Sequence, residues 1–500
     1  MTFKQSLDLH PMRNILFLGF LILLVSVSCR KDPVEIRNAT ELEFSQDTVF
    51  LDTVFSTIGS STRILKVYNR SNNDVKIPAI RFGKGTSSYF RMNVNGISGK
   101  EILNTEILAK DSLYILLEVT ADVLGASELL YTDSLVFNLE GNSQDVKLVT
   151  LAKDAFFHLP NQTDTLGNLI LRYKVIANDT SWSNSKPHVV YGYILVASNA
   201  KLSIPEETQV HFHSGSGIIV AGSIEVDPLG LSTYDRPVVF QGDRLEPWYE
   251  DVPGQWGGLL GGILLLGEST NNIIQNTIIK NATIGLRIDS NNTGNSNVSL
   301  KNLRIYNSSR VGLYGGFAHL QAENTVVANS GLYNLYVLGG RYRFIHCTFA
   351  NYWPFGTRNT PSIGLFNFFE DGEGNRRTRD VIDCYFGNCV VYGSQNSEVV
   401  IGEELTGLMN YKFNSALLRI EPQPEDNSYD LTDLNRFENI FINQDPNFVN
   451  VLRNNYDLDT LSNAMDRANL IDGALVPLDI KGQFRSFNGI PDLGAYERIE

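Results

Sequence analysis

Apolar and polar residues alternate with a period of two through most of this chain, and clusters of Asn, Gly and Asp separate the runs. That pattern predicts short half-buried strands joined by turns, so the fold class is all-β. Between 276 and 388 the runs repeat. Asn276-Thr277-Ile278-Ile279-Lys280-Asn281 aligns with Asn302-Leu303-Arg304-Ile305-Tyr306-Asn307, with Asn324-Thr325-Val326-Val327-Ala328-Asn329, with His346-Cys347-Thr348-Phe349-Ala350-Asn351 and with Asp383-Cys384-Tyr385-Phe386-Gly387-Asn388. The units start 26, 22, 22 and 37 residues apart, and the longest step holds an insertion, Pro354 to Arg379. Units of this length predict a parallel β-helix with one coil per unit, stacked at about 4.8 Å. A leucine-rich repeat would need its own Leu spacing and helices, and a propeller longer units.

In that winding the second and fourth positions face the core. They form the rows Thr277/Leu303/Thr325/Cys347/Cys384 and Ile279/Ile305/Val327/Phe349/Phe386. The sixth position, Asn281, Asn307, Asn329, Asn351 and Asn388, is expected to form a ladder at a bend. Asn tolerates left-handed backbone, and its amide both donates and accepts.

Elsewhere the pattern sets the domains. Strands such as Ile64 to Tyr68, Leu113 to Val119 and Val146 to Leu151, split by Asn/Gly/Asp turns, predict a β-sandwich over 39–158. Residues 159–185 are expected to be a linker, 186–442 the β-helix and 443–500 a C-terminal cap. A solenoid end exposes core and unpaired backbone, so it needs covering.

The N-terminus breaks the alternation. Arg13 precedes an apolar run, Ile15 to Val27, then Ser28-Cys29. This is a signal-peptide layout, too short for a comfortable membrane span, and it assigns 1–28 to a signal and 29–38 to a tether. Met12-Arg13-Asn14 could itself open a compact signal. Composition narrows the partners. The net charge of −14 argues against nucleic acid. Beyond Cys29 only Cys347, Cys384 and Cys389 remain, an odd number without zinc spacing, so neither a disulfide framework nor a metal site is expected. No cofactor is expected either.

Leu24-Val25-Ser26-Val27-Ser28-Cys29 resembles a bacterial lipobox, with Ser26 where Leu is usual. The resemblance implies that Cys29 is lipidated and becomes the mature N-terminus. Val67-Tyr68-Asn69 followed by Ile77-Pro78-Ala79-Ile80 resembles the start of hydin-type immunoglobulin-like domains, often spacers or binding modules. The phrases from Val189 through Gly254-Gln255-Trp256-Gly257-Gly258, and the closing Asp492-Leu493-Gly494-Ala495-Tyr496-Glu497, resemble right-handed β-helix lipoproteins of Bacteroidetes with a pectate-lyase-like solenoid. Leu461 to Asp466 and Arg485 are similar to the same closing segment. The resemblance implies an outer-membrane lipoprotein, periplasmic or surface-facing, whose partners are the membrane through its lipid and a glycan or another envelope protein.

Candidate chemistry is sparse. A non-enzymatic binding or structural module, for glycan, is the leading reading. A polysaccharide lyase or glycoside hydrolase is the alternative. Hydrolases need paired carboxylates, and the Asp-Asp and Gly-His-Gly phrases of β-helix hydrolases are missing from the sequence. The run Glu370 to Asp380 mixes carboxylates and arginines as a lyase site would, although such a run is more often a solvated loop tip. Three or more carboxylates beside a Lys or Arg in one cleft would favour the enzyme; a flat surface would favour binding. Trp248, Tyr249, Trp256 and Trp353 are candidates for stacking on sugar rings. His211 and His213 share a strand face but lack a third ligand. Asp followed by Ser or Thr and an aliphatic resembles the O-glycosylation pattern of exported Bacteroidetes proteins at Thr48, Thr53, Ser112, Ser134, Thr165 and Thr460. A polar turn before a strand writes the same string.

Overall fold

The computed structural model describes residues 36–122, 128–289, 297–424, 428–485 and 489–498. Cys29 lies outside them. The chain divides into two compact units, at Lys153 and Asp154.

The first unit is a sandwich of two sheets. One contains Val75–Phe82, Glu101–Ile107, Glu128–Asn138, Ser143–Lys153 and Thr48–Phe55; the other contains Arg63–Tyr68, Ser112–Val119 and Phe90–Val94. Alternate residues of each strand point inward, so Leu113, Ile115, Leu117 and Val119 are buried while Tyr114 and Leu116 are exposed. They meet Val67, Ile80, Phe82, Phe90, Phe137 and Leu148 in one core.

In the second unit the strands return to the same side of a coil and pair in parallel, apart from one antiparallel hairpin, forming a wound sheet of 25 strands among the described residues. Three rows of inward side chains fill it. Row A runs Phe240, Ile279, Ile305, Val327, Phe349, Val391 and Leu418. Row B runs Ile218, Ile263, Leu286, Leu313, Leu335 and Ile363. Row C runs Ile274, Leu300, Ala322, Phe344, Phe386, Phe413 and Phe437. Its phenylalanines stack with centroids 4.9, 4.5 and 5.6 Å apart, close to the strand spacing itself.

Four of the five aligned repeats keep their expected register. The fifth does not. Cys384 pairs with Tyr342 and Phe386 with Phe344, in row C, whereas the coil neighbour of Cys347 is Cys389. Asp383-Cys384-Tyr385-Phe386-Gly387-Asn388 and Asn388-Cys389-Val390-Val391-Tyr392-Gly393 are two phrases of the same type, overlapping at Asn388. The insertion before them removes the spacing that would have told them apart. Part of that insertion is a hairpin, Phe368–Glu370 with Arg376–Thr378.

The expected linker, 159–185, instead carries strands Gln162–Leu166, Leu169–Ile176 and Thr180–Ser181. The last two join the winding, Val175 pairing with Leu195 and Thr180 with Leu202, while Gln162–Leu166 folds back on Leu169–Ile176 as an antiparallel hairpin. Most of their exposed positions are polar, a composition that suits a loop as well as a strand, although Leu166 and Ile170 are exposed too. The C-terminal segment also departs from expectation. It lies along the flank of row A rather than on the solenoid end. Tyr456, Ile480, Ala495 and Tyr496 pack on Tyr306, Val326, Ala328 and Ala350, and Leu458, Ala464 and Leu493 pack on Val390 and Leu417. Strands Val326–Ala328, Thr348–Asn351 and Val390–Gly393 are therefore buried on both faces. At the end of the winding, Tyr429 joins the core beside Phe437 and Leu431 packs against it.

Candidate functional site

Where the C-terminal flank segment stops, the outer face of row A stays open. Gln209, Val239, Ile278 and Arg304 form its floor in register, with Gln241, Lys280 and Tyr306 beside them. Walls come from Glu250 and Asp251 on one loop, Tyr234 on another, and Arg453 to Asn455 of the flank segment. Together they enclose about 540 Å³. A second hollow of about 290 Å³ shares Gln241, Glu250 and Lys280 and extends the groove to Arg244, Tyr249 and Asn281.

Much of the groove is held rigidly. Arg304 is buried, lies 4.0 Å from the Tyr234 ring centroid, and donates from Nη2 to the Tyr234 carbonyl at 2.6 Å. Arg244 covers the Tyr249 ring at 3.9 Å and pairs with Glu246. Asn281 donates to the Glu250 carbonyl at 2.7 Å and Asn307 to Asp251 Oδ1 at 3.1 Å, so two sixth-position asparagines fasten the wall loop. Burial pushes the Tyr306 hydroxyl well above the usual tyrosine range, so it stays a neutral hydroxyl at physiological pH. Other groups are left free to bind. Among the described residues, Lys280, Glu250 and Arg453 form no ion pair, and Arg304 Nε and Asn281 Oδ1 are buried without a hydrogen-bond partner.

The tryptophan candidates separate. Trp256 is fully buried, stacks on Phe212 at 4.2 Å and donates from Nε1 to the Lys280 carbonyl, so it packs the core and cannot meet a sugar. Gly257, with φ of 92°, has no room for a Cβ beside Gly261 and Gly262, which explains the glycines that follow it. Tyr249 lines the groove. Trp248 is 51 % exposed on the same turn, Pro247–Tyr249. Trp353 sits far along the winding, half-buried edge-on to Phe355, and lines none of these hollows. Gln241 and Lys280 carry no signal in the sequence, because outward polar residues on strands are ordinary, and neither does Arg453 on its short turn.

The asparagine ladder exists, one bend away from where it was expected. Asn302 donates to Asn276 Oδ1 at 2.8 Å, and Asn324 donates to Asn302 Oδ1 at 3.1 Å. These are first-position residues with left-handed φ of 48°, 51° and 47°. Asn388 belongs to this bend too, against His346 at 3.0 Å. The sixth-position Asn281, Asn307 and Asn329 are also left-handed, but bond to loops: Asn329 donates to Asn454 Oδ1 at 2.9 Å. Asn351 donates to the Ser330 carbonyl, and a left-handed φ is absent there.

The remaining candidates are placed as follows. His211 is buried and faces the Gly242 carbonyl, while exposed His213 pairs with Asp243 at 2.7 Å. No group of three or more His, Cys, Asp or Glu among the described residues is arranged to hold a metal ion. Within the charged run, Arg377 pairs with Asp371 and Arg376 approaches Glu370 and, outside the run, Glu404, while Arg379 forms no ion pair among the described residues. In the Asp-Ser/Thr strings, Asp111, Asp133, Asp164 and Asp459 each accept the following backbone N–H. Only Asp111 stands before a strand, Ser112–Val119; Asp133 and Asp164 lie within strands, and Asp459 follows one. Thr165 and Thr460 are exposed, and Thr48, Thr53, Ser112 and Ser134 half-buried.

No family model matches the chain, and no curated protein matches it. Among solved structures, the chain has a likeness to the ASH / PapD-like domain 7 of human CEP192, at 12 % identity and a TM-score of 0.16, covering 31 % of this chain and 96 % of that one. Another is the catalytic unit of a thermostable GH87 α-1,3-glucanase from Streptomyces thermodiastaticus, at 11 % identity and a TM-score of 0.21, covering 71 % of this chain and 79 % of that one. At TM-scores this low neither likeness speaks for a shared fold or activity.

Proposed function

We propose that this protein is an exported lipoprotein, anchored at the outer membrane through Cys29, whose solenoid binds a glycan chain in the row A groove. The groove itself carries this reading. It is long, open and polar, with tyrosine rings at its sides and unpaired Lys280, Glu250 and Arg453 along it. A carbohydrate offers hydroxyls to such groups and C–H faces to aromatic rings. The solenoid is read as a right-handed parallel β-helix, because parallel crossover connections are right-handed in about 98 % of cases. The first unit, which follows the anchor in the chain, is read as an immunoglobulin-like spacer.

Binding is favoured over hydrolysis by the placement of the carboxylates. Glu250 and Asp251 are neighbours on one wall, Asp251 is already held by Asn307, and Glu246 is taken by Arg244. A glycosidase needs two carboxyls facing each other across the sugar bond. The test is a glycan array probed with the purified protein, alongside a reducing-end assay on every glycan bound. Binding without release of new reducing ends, lost in Lys280→Ala, is the expected result. Turnover would move the reading to the enzyme, and retained binding in Lys280→Ala would move it off this groove.

A further inference from the structure

The outer face of row B carries a different kind of site. Tyr314 and Tyr336 pair in register and their rings stack 5.4 Å apart, and Phe366 continues the stack at 5.2 Å. Gly364 makes room for this, because a Cβ there would fall 2.6 Å from the Phe366 ring. Beside Tyr314 lies a cavity of about 370 Å³, lined by Asp289, Gly316, Phe317, Leu338, Phe369 and Arg379. Phe369 belongs to the strand Phe368–Glu370 of the insertion hairpin, and Arg379 follows its partner strand.

Two features single this cavity out. Phe317 has φ of 54°, a left-handed conformation that a bulky side chain rarely adopts, and its counterpart in the next coil is Gly339 with φ of 62°. Nothing in the winding demands an aromatic residue there; a glycine serves the next bend. Strain of this kind marks functional sites when the surroundings impose it. The second feature is charge. Asp289 is taken by Arg287 through two bonds of 2.9 and 3.0 Å. The Arg379 guanidinium lies 5.8 Å from the Phe317 ring centroid and 5.5 Å from that of Phe369, with no carboxylate partner among the described residues. An apolar cavity thus holds one uncompensated cation.

We propose that this cavity binds a small organic carboxylate with an apolar or aromatic body, its carboxylate on Arg379 and its body between Phe317, Phe369 and Tyr314. A planar guanidinium matches a carboxylate in a fork of two bonds, and its neighbouring rings hold it in place. A single negative charge balances Arg379, the one cation of the cavity without a carboxylate partner among the described residues. The volume is that of a small-ligand pocket, near the lower end of the usual ~300–1,000 Å³. The site is independent of the glycan groove, which lies on another row.

Calorimetric titration of the purified protein with phenylacetate and cyclohexylacetate, and with the uncharged phenylacetamide, tests this. At least one acid should bind, and more tightly than the amide by about tenfold or more, the value of one charge-assisted bond. Arg379→Gln should lose that preference with an unchanged melting temperature. Phe317→Gly should melt higher, because strain is relieved, and yet bind the acid more weakly. A purely structural Phe317 would give the first effect without the second. Binding of neither acid, equal binding of acid and amide, or full affinity in Phe317→Gly would each overturn the proposal.

Discussion

Arg485 donates from Nη2 to Asn324 Oδ1 at 2.7 Å, joining the C-terminal segment to the asparagine ladder 161 residues earlier in the chain. Both side chains are buried. Arg485 also reaches Glu497 and the Ala495 carbonyl. Burial lowers the Arg485 pKa to about 10, which still leaves the guanidinium charged at neutral pH. The same asparagine donates to Asn302 and to the Leu478 carbonyl. One amide thus couples the coil stack to the segment that covers it.

Asn324→Ala should therefore be among the costliest surface-row changes. It removes one partner of the buried Arg485 guanidinium and one of half-buried Asn302, and leaves a left-handed backbone to alanine. Each buried group left unpaired costs about 1–3 kcal/mol, and the backbone about 1–2 kcal/mol. Asn329→Ala loses Asn454 Oδ1 and the Tyr352 N–H, neither of them a buried charge. Thermal melts should rank Asn324→Ala below Asn329→Ala. The reverse order would mean that the flank segment does not depend on this contact.

Much of this was legible in the sequence, and the limits have physical causes. The core rows followed from period-two alternation, because Ile279, Ile305 and Val327 point inward whatever covers the outside. The ladder was misplaced because both bends of the repeat carry asparagine, and a string of residues does not say which bend is narrow enough for amides to touch. The groove was invisible because its walls come from loops near 234 and 250 and from Arg453, brought together only when the C-terminal segment folds back. That fold-back does leave a trace in the sequence. Val326-Val327-Ala328 and Val390-Val391-Tyr392 are apolar at successive positions, which means a strand covered on both faces.

Trp256→Ala should unfold or severely weaken the second unit, while Trp248→Ala should not change its stability. Removing a buried Trp costs about 3–5 kcal/mol through the cavity it leaves. Trp256 is 0 % exposed and Trp248 51 %. Denaturant melts of both variants check this. Equal midpoints would contradict the stacking of Trp256 on Phe212.

The thiols give a test that also reads the N-terminus. Cys347, Cys384 and Cys389 are free and buried, and burial pushes the Cys384 and Cys389 thiols well up. The native protein should resist iodoacetamide, since the thiolate is the reactive form. After denaturation, intact mass should show three added groups if Cys29 carries lipid and a fourth if it does not. Labelling of the native protein, or a single added group after denaturation, would disprove the buried free thiols.

The last prediction concerns acid. At the start of the winding His158 Nε2 and His188 Nδ1 are 2.8 Å apart, and both rings stack on Trp182, with centroids 4.6 and 4.3 Å away. His188 Nε2 faces the Ser183 carbonyl at 2.8 Å, so it donates there and its Nδ1 accepts from His158. Burial, then the neighbouring His188 and Lys174, lower the His158 pKa from 6.5 to about 3. In the unfolded chain this histidine takes up a proton near 6.5, and in the folded chain only near 3. Between those values the unfolded state binds more protons, so stability rises with pH across the window and is lost as the pH falls through it. His158→Phe keeps a ring for Trp182 but removes the titrating group. Its melting temperature should fall less steeply than that of the wild type between pH 6.5 and pH 4. Parallel curves for the two proteins over that range would show that this pair does not set the acid sensitivity.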